Sequence, residues 1–325
     1  MKTQIVGIGE ALWDMLPAGK QLGGAPANFA YHVKQLGFPA QVVSAVGDDE
    51  LGHEILNVFT AKQIPSLVQQ VNYPTGTVQV SLDEAGVPSY EIKTNVAWDN
   101  ISFTPEMEDL AAHTQAVCFG SLAQRNEVSR AAINRFLDAI PEANDVLKIF
   151  DINLRQQFYT KEILHESLCK CNVLKINDEE LEQVSKLFNL PSQNLAESGA
   201  SEENLAVTKQ FVPLLPISSC VLHDGDETVL QEKVCRKLLT HYQLKLVILT
   251  CGEKGSFVFT PEETSYFATP KVDVVDTVGA GDAFTAAFVA GILQGNSVRE
   301  AHQLAVNISA YVCTKPGAMP DYDQF

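Results

Sequence analysis

The sequence predicts an α/β sandwich, a mostly parallel sheet buried between helices, with a second, smaller β-sheet projecting from it. Short runs such as "LKIFDIN" (147–153), "NVLKIN" (172–177) and "LKLVILTC" (244–251) are almost continuously apolar. A parallel strand covered on both faces needs that character. Helical patterns alternate with these runs, and such alternation points to strand–helix–strand units. One stretch, residues 77–93, breaks the pattern and predicts the smaller sheet.

In chain order, "MLPAGKQLGG" (15–24) is assigned to that smaller sheet. Pro26 fits the first position of a helix, which puts Asn28 in its first turn. Leu51, Ile55, Val58 and Phe59 fall on one helical face. In "TVQVSLDEAGVPSYEIK" (77–93), Val78, Val80 and Leu82 alternate with Gln79, Ser81 and Asp83. After the turn residues, Tyr90 and Ile92 alternate with Glu91 and Lys93, so the stretch reads as a hairpin with one wet face. The small sheet therefore spans about 11–24 and 74–100 and would form a lid over a cleft; an ordinary edge hairpin is the other reading. Residues 191–204 are polar and read as a surface loop, whereas Cys220 to His241 has no clear assignment. A helix is expected from Asp282 to about Leu293, and Ala301, Leu304, Ala305, Ile308 and Val312 mark the face of another.

At 325 residues the chain is predicted to be one large domain, 1–325, that includes the small lobe. Its 23 Lys+Arg against 40 Asp+Glu give a net charge of −17, a field that repels nucleic acid and anionic membrane surfaces. An anionic ligand would then have to be held by local groups, such as main-chain amides or a metal ion. The seven cysteines are odd in number and scattered, which predicts reduced thiols and a cytoplasmic protein. The N-terminal apolar stretch is too short for a signal peptide and carries Glu10 and Asp14, and no run approaches a membrane span.

The chemistry concentrates in "VVDTVGAGDAF" (274–284). The glycines of Gly279-Ala280-Gly281 let consecutive amides converge on an anion, and the helix that follows adds the positive end of its dipole. Asp282 would stand beside a phosphoryl group docked there, its ionised form favoured by the dipole, ready to accept a proton from an attacking hydroxyl. The same four residues also read as a glycine turn with a capping carboxylate. No G-x-x-x-x-G-K-[ST] occurs, and "GIGEAL" (7–12) lacks the third glycine of a dinucleotide fingerprint.

"DTVGAGDAF" resembles the C-terminal signature of the ribokinase-like, PfkB-type carbohydrate kinases. "GGAPANFAYHVKQLG" (23–37) with "VGDDELG" (46–52) resembles their N-terminal signature, and the order and separation match over nearly the whole chain. "GEALWDMLP", "GGAPAN" and "FDINLR" are most similar to fructokinases. The resemblance implies a three-layer sandwich with a β lid that transfers the γ-phosphoryl group of ATP to a sugar hydroxyl. It makes Asp282 the base and the amides of Gly279, Ala280 and Gly281 the anion hole, while Asp14, Gly23, Gly24 and Asn28 hold the sugar. Arg155 would meet substrate or phosphate oxygens, or form a structural ion pair.

On the nucleotide side the resemblance implicates Thr250, Gly252, Gly255, Thr277 and Asn307, with Asn177 and Glu180 acting on Mg²⁺ and phosphate through water. A helix N-cap is the plain reading of "INDEE". Asp276 would support a monovalent cation such as K⁺. Two departures stand out: about 70 residues separate "NDEE" from "TCGEKG", and "YEIKTNVAWDN" lacks the arginine expected of fructokinase lids. The expected activity is that of a fructokinase. Ribokinase, nucleoside kinase, 2-keto-3-deoxygluconate kinase and a non-catalytic sugar or nucleotide sensor are the alternatives. An exposed lid face would invite a homodimer.

Overall fold

The computed structural model describes residues 4–16, 19–82, 88–142, 145–190 and 226–322. Nine strands form the main sheet: β1 (Gln4–Ile8), β4 (Ala40–Gly47), β5 (Ser66–Val71), β8 (Thr114–Phe119), β9 (Leu147–Asp151), β10 (Val173–Asn177), β11 (Leu246–Thr250), β12 (Ser256–Phe259) and β13 (Thr264–Phe267). Their order is β13-β12-β11-β10-β9-β8-β1-β4-β5. All neighbours from β11 to β5 run parallel; only β12 and β13 are antiparallel. The three apolar runs of the sequence are the central strands β9, β10 and β11.

Helices cover both faces. On one side lie α3 (Pro105–Ala112), α4 (Glu127–Ala139), α5 (Lys161–Lys170), α6 (Asp178–Leu187) and α7 (Asp226–His241), packed on Phe119, Phe150, Ile176 and Leu249. On the other lie α1 (Ala25–Gln35), α2 (Glu50–Ala61), α8 (Ala280–Leu293) and α9 (Val298–Cys313), packed on Ile5, Val42, Ile149 and Ile248. Ile55 and Phe59 of α2, and Ala301, Ala305, Ile308 and Val312 of α9, are buried as their spacing predicts. Helix α8 is apolar nearly all round because α1 and α9 enclose it, and Ala283 to Gly291 are all buried.

The segment 77–93 does leave the main sheet. Strands β2 (Leu12–Leu16), β3 (Gly19–Gly23), β6 (Gly76–Leu82) and β7 (Pro88–Ile92) form a separate sheet, ordered β3-β2-β6-β7. Val78 pairs with Ile92, and both are buried, whereas Tyr90 is 58 % exposed. So the wet face of the hairpin is not its only exposed part.

Three local details differ from the sequence reading. Helix α8 begins at Ala280 rather than Asp282, because Gly279 adopts φ +76° and is the residue that caps it. Pro26 occupies the second helical position of α1 after the cap Gly24, so Asn28 closes the first turn. Of the unassigned stretch, Asp226 to His241 is α7; residues 191–225, including the expected polar loop, lie outside the described residues. No disulfide joins the six described cysteines. No described helix is long and apolar enough to cross a membrane.

Candidate active site

The site lies where the parallel strands end, as it does in open α/β sheets generally. Asp282 is in the first turn of α8, and Asn28 of α1 donates through Nδ2 to its Oδ2 at 2.8 Å. One turn further along α8, Thr285 Oγ1 donates to Gly281 O (3.0 Å) and to Asp151 Oδ2 (3.3 Å). Asp151, at the end of β9, accepts at Oδ1 from Lys175 Nζ of β10 at 3.1 Å. A Cβ on Gly281 would come within 3.2 Å of that same Nζ. Two helices and two strands thus converge on a single buried charge cluster.

Asp282 keeps some accessible surface, yet the protein around it removes enough water to raise its carboxyl to about 7. Burial is the main cause and the nearby charge of Asp151 the second; Asn28, Lys175 and Arg155 act in the opposite direction. The expectation that the helix dipole would leave Asp282 comfortably ionised is therefore corrected: desolvation and a like charge outweigh it. A carboxyl held near neutrality is suited to taking and releasing a proton.

Only glycine fits at 279. Its φ of +76° is left-handed, and a Cβ would stand 2.7 Å from Ala318 O. The three amides of the glycine turn differ in their main-chain partners. Ala280 N donates to Thr277 O at 3.2 Å within the turn, whereas Gly279 N and Gly281 N have no main-chain acceptor among the described residues. Asp276 fixes this loop, its carboxylate accepting from Val278 N and from Gly317 N, each at 3.0 Å. Val274, Val275 and Val278 are exposed beside it.

Asp14 sits on β2 beside Val78 of β6. Burial on this apolar face raises its carboxyl to about 6, with Arg155 pulling the other way. A Cβ on Gly23 would meet Asp14 Oδ2 at 2.4 Å, and one on Gly24 (φ +112°) would meet Glu10 O at 2.3 Å. The two glycines thus admit this chain's own atoms. Arg155 is exposed, forms no ion pair among the described residues, and its charge acts on Glu10, Asp14 and Asp282 alike.

Asn177 and Glu180 realise the capping reading. Asn177 Oδ1 accepts from Glu180 N (2.8 Å) and Glu180 Oε2 from Asn177 N (3.0 Å), while Glu180 Oε1 accepts from Leu154 N (2.9 Å). Thr250 ends β11, and Gly252 and Gly255 bound the turn that follows. Thr277 and Asn307 are exposed, and Gln303 Nε2 donates to Asn307 Oδ1 at 3.0 Å.

Sequence reasoning missed Asp151, Lys175, Thr285, Glu10 and Arg125. For Asp151 and Lys175 a signal existed, since a charged residue inside an apolar parallel strand demands a buried partner. Arg125 stacks over Trp98 (4.0 Å) and Phe158 (4.5 Å), and its Nε and Nη2 bond Asp99 at 2.8 and 2.9 Å. It also donates through Nη2 to Lys93 O at 2.6 Å, just beyond β7, tying the small sheet to the body.

A nine-strand, mostly parallel sheet between two helical layers, with a small separate sheet, is the ribokinase-like α/β sandwich. The chain matches the "pfkB family carbohydrate kinase" over residues 18–213 and 217–324, and it belongs to that family. An ATP-dependent 6-phosphofructokinase of Thermoanaerobacterium thermosaccharolyticum is 27% identical over 99% of this chain and 92% of its own length. The protein of Arabidopsis thaliana named "Probable fructokinase-4" is 29% identical, over 98% and 93% respectively. A sugar kinase of Pyrococcus horikoshii, solved in complex with ATP, superposes with a TM-score of 0.74 at 24% identity, covering 99% of this chain and 96% of that one.

Proposed function

We propose that this PfkB-family carbohydrate kinase uses ATP to phosphorylate a primary hydroxyl of a neutral sugar, with fructose the first candidate. The observation that carries the reading is Asp282, raised to about 7 in the first turn of α8 and bonded by the Asn28 side chain. It is close in sequence to the Gly279 and Gly281 amides, which have no main-chain acceptor among the described residues. The hydroxyl oxygen would form its new bond to the γ-phosphorus as the bond to the bridging oxygen breaks. ADP leaves, and the hydroxyl proton passes to Asp282. The two amides and the positive end of α8 would hold the transferred group's charge. The exposed valines beside the loop offer an apolar rim to a nucleotide base.

The residues fit a metal that arrives with the nucleotide better than a protein cage. Among the described residues no three acidic, His or Cys side chains cluster as a metal site, and both Glu180 oxygens already accept main-chain N–H groups. Glu180 would therefore reach Mg²⁺ through water, and Asp276 would order the loop carbonyls around a monovalent cation. When bound, Mg²⁺ would neutralise phosphate charge.

The small sheet would serve as the lid, closing over the sugar so that water is kept from acting as acceptor. Asp14, Glu10 and Asp282 around one cleft favour an uncharged polyol. A second reading, fructose 6-phosphate, is favoured by the exposed Arg155, which makes no ion pair among the described residues, and by the 6-phosphofructokinase relative. Measuring ADP release with fructose, fructose 6-phosphate, ribose, adenosine and 2-keto-3-deoxygluconate separates these. Activity with none would leave the sensor.

A further inference from the structure

Glu10 and Arg125 are buried charged side chains that take no part in the proposed phosphoryl transfer. Gly9 packs on the 122–124 turn so closely that a Cβ there would lie 3.3 Å from Ala123 Cβ. Glu10 and Arg125 follow directly from these touching segments. Glu10 is 2 % exposed and the Arg125 side chain 7 %. Main-chain amides of Glu10 itself and of Ala25 serve the Glu10 carboxyl, yet Oε2 has no partner among the described residues. Arg125 is committed at Nε and Nη2, and its Nη1 likewise has none. The Arg125 charge acts weakly on Glu10, but the ion pair that Arg125 makes is with Asp99.

A desolvated acceptor and a desolvated donor, each without a protein partner among the described residues, would both be satisfied by a group that donates and accepts, were it to fill a gap between them. A hydroxyl is such a group. Glu10 adjoins the mouth of α1 through the Ala25 amide, where Asn28 Oδ1 is also buried with no partner among the described residues while Nδ2 holds Asp282. We propose that Glu10 Oε2 and Arg125 Nη1 together receive one secondary hydroxyl of the acceptor sugar, the hydroxyl donating to the carboxylate and accepting from the guanidinium. The pair then selects a polyol carrying that hydroxyl. Because Arg125 also grips Lys93 O, seating the hydroxyl would be coupled to the position of the small sheet.

This inference rests on the sugar-kinase reading. The test compares wild-type protein and Glu10→Gln on the preferred sugar and on its monodeoxy analogues, with melting temperature measured alongside. Wild-type protein should lose roughly 10- to 100-fold in kcat/KM at one deoxy position, the range for a hydrogen bond to a charged group. Glu10→Gln should lose a similar factor on the parent sugar, chiefly in KM for the sugar. KM for ATP should stay put, and discrimination at that one position should vanish. Arg125→Lys, which keeps the charge but not the fork, should blunt the same position. If Glu10→Gln keeps wild-type discrimination at every position and changes only the melting temperature, the gap holds a structural water and the inference is overturned. Wild-type protein inactive on every sugar would instead overturn the kinase reading, and this inference with it.

Discussion

Asn28 Nδ2 donates to Asp282 Oδ2 at 2.8 Å, a bond that joins side chains 254 positions apart in the chain. It links the two sequence signatures physically. One signature lies in the first turn of α1 and the other in the first turn of α8, and each buries the partner the other requires. Because the bond favours the charged carboxylate, it holds Asp282 lower than burial alone would.

Removing that bond should therefore move the base. In Asn28→Ala the acidic limb of the kcat/KM profile should shift to higher pH than in wild type. An unmoved limb would show that the group titrating in catalysis is not the one Asn28 touches.

Asp282→Asn should lower turnover by roughly 10²–10⁴-fold, the usual contribution of a general base. Calorimetric ATP binding should survive, since the Gly279 and Gly281 amides do not depend on the carboxylate. Turnover within a few fold of wild type would exclude Asp282 as the proton acceptor.

Stability should also depend on pH in a defined direction. Glu10 and Asp282 are raised to about 7 and Asp14 to about 6, all above their ordinary values of 4.5, 3.8 and 3.8. The folded state thus binds protons that the unfolded chain has already released, so the advantage is full below about 4 and is lost as pH rises through 7. The melting temperature should fall between pH 5 and pH 8. Asp282→Asn should flatten part of that fall and be the more stable protein at pH 8.

What the sequence revealed follows from where each interaction lies. The parallel strands, the small sheet and the glycine loop were legible because apolar runs, two-residue alternation and Gly-Ala-Gly-Asp are local patterns. The start of α8 was misplaced by two residues because the cap is set by Gly279 against Ala318, a contact 39 positions away. The Asp151–Lys175–Thr285 cluster was invisible as a cluster for the same reason. Asp151 and Lys175 each signal a buried partner from within an apolar strand, but which partner emerges only when the sheet order places β9 beside β10 and α8 across both. The ionisation of Asp282 was misjudged because the dipole is a property of the helix alone, whereas desolvation depends on everything packed around it.

The cluster yields the sharpest separation of stability from activity. Lys175→Met leaves Asp151 buried without its cation, and losing one partner of a buried pair typically costs roughly 3–5 kcal/mol. It also removes a positive charge that holds Asp282 down, so the acidic limb of the rate profile should rise in pH. Adding Asp151→Leu should recover much of the lost stability, because an apolar pair of similar volume can replace a buried ion pair. Removing Asp151 takes away the like charge as well, so the limb should return toward its original position. Chemical denaturation and pH–rate profiles on the single and double variants measure both effects. A double variant as unstable as Lys175→Met would show that Lys175 serves packing rather than charge.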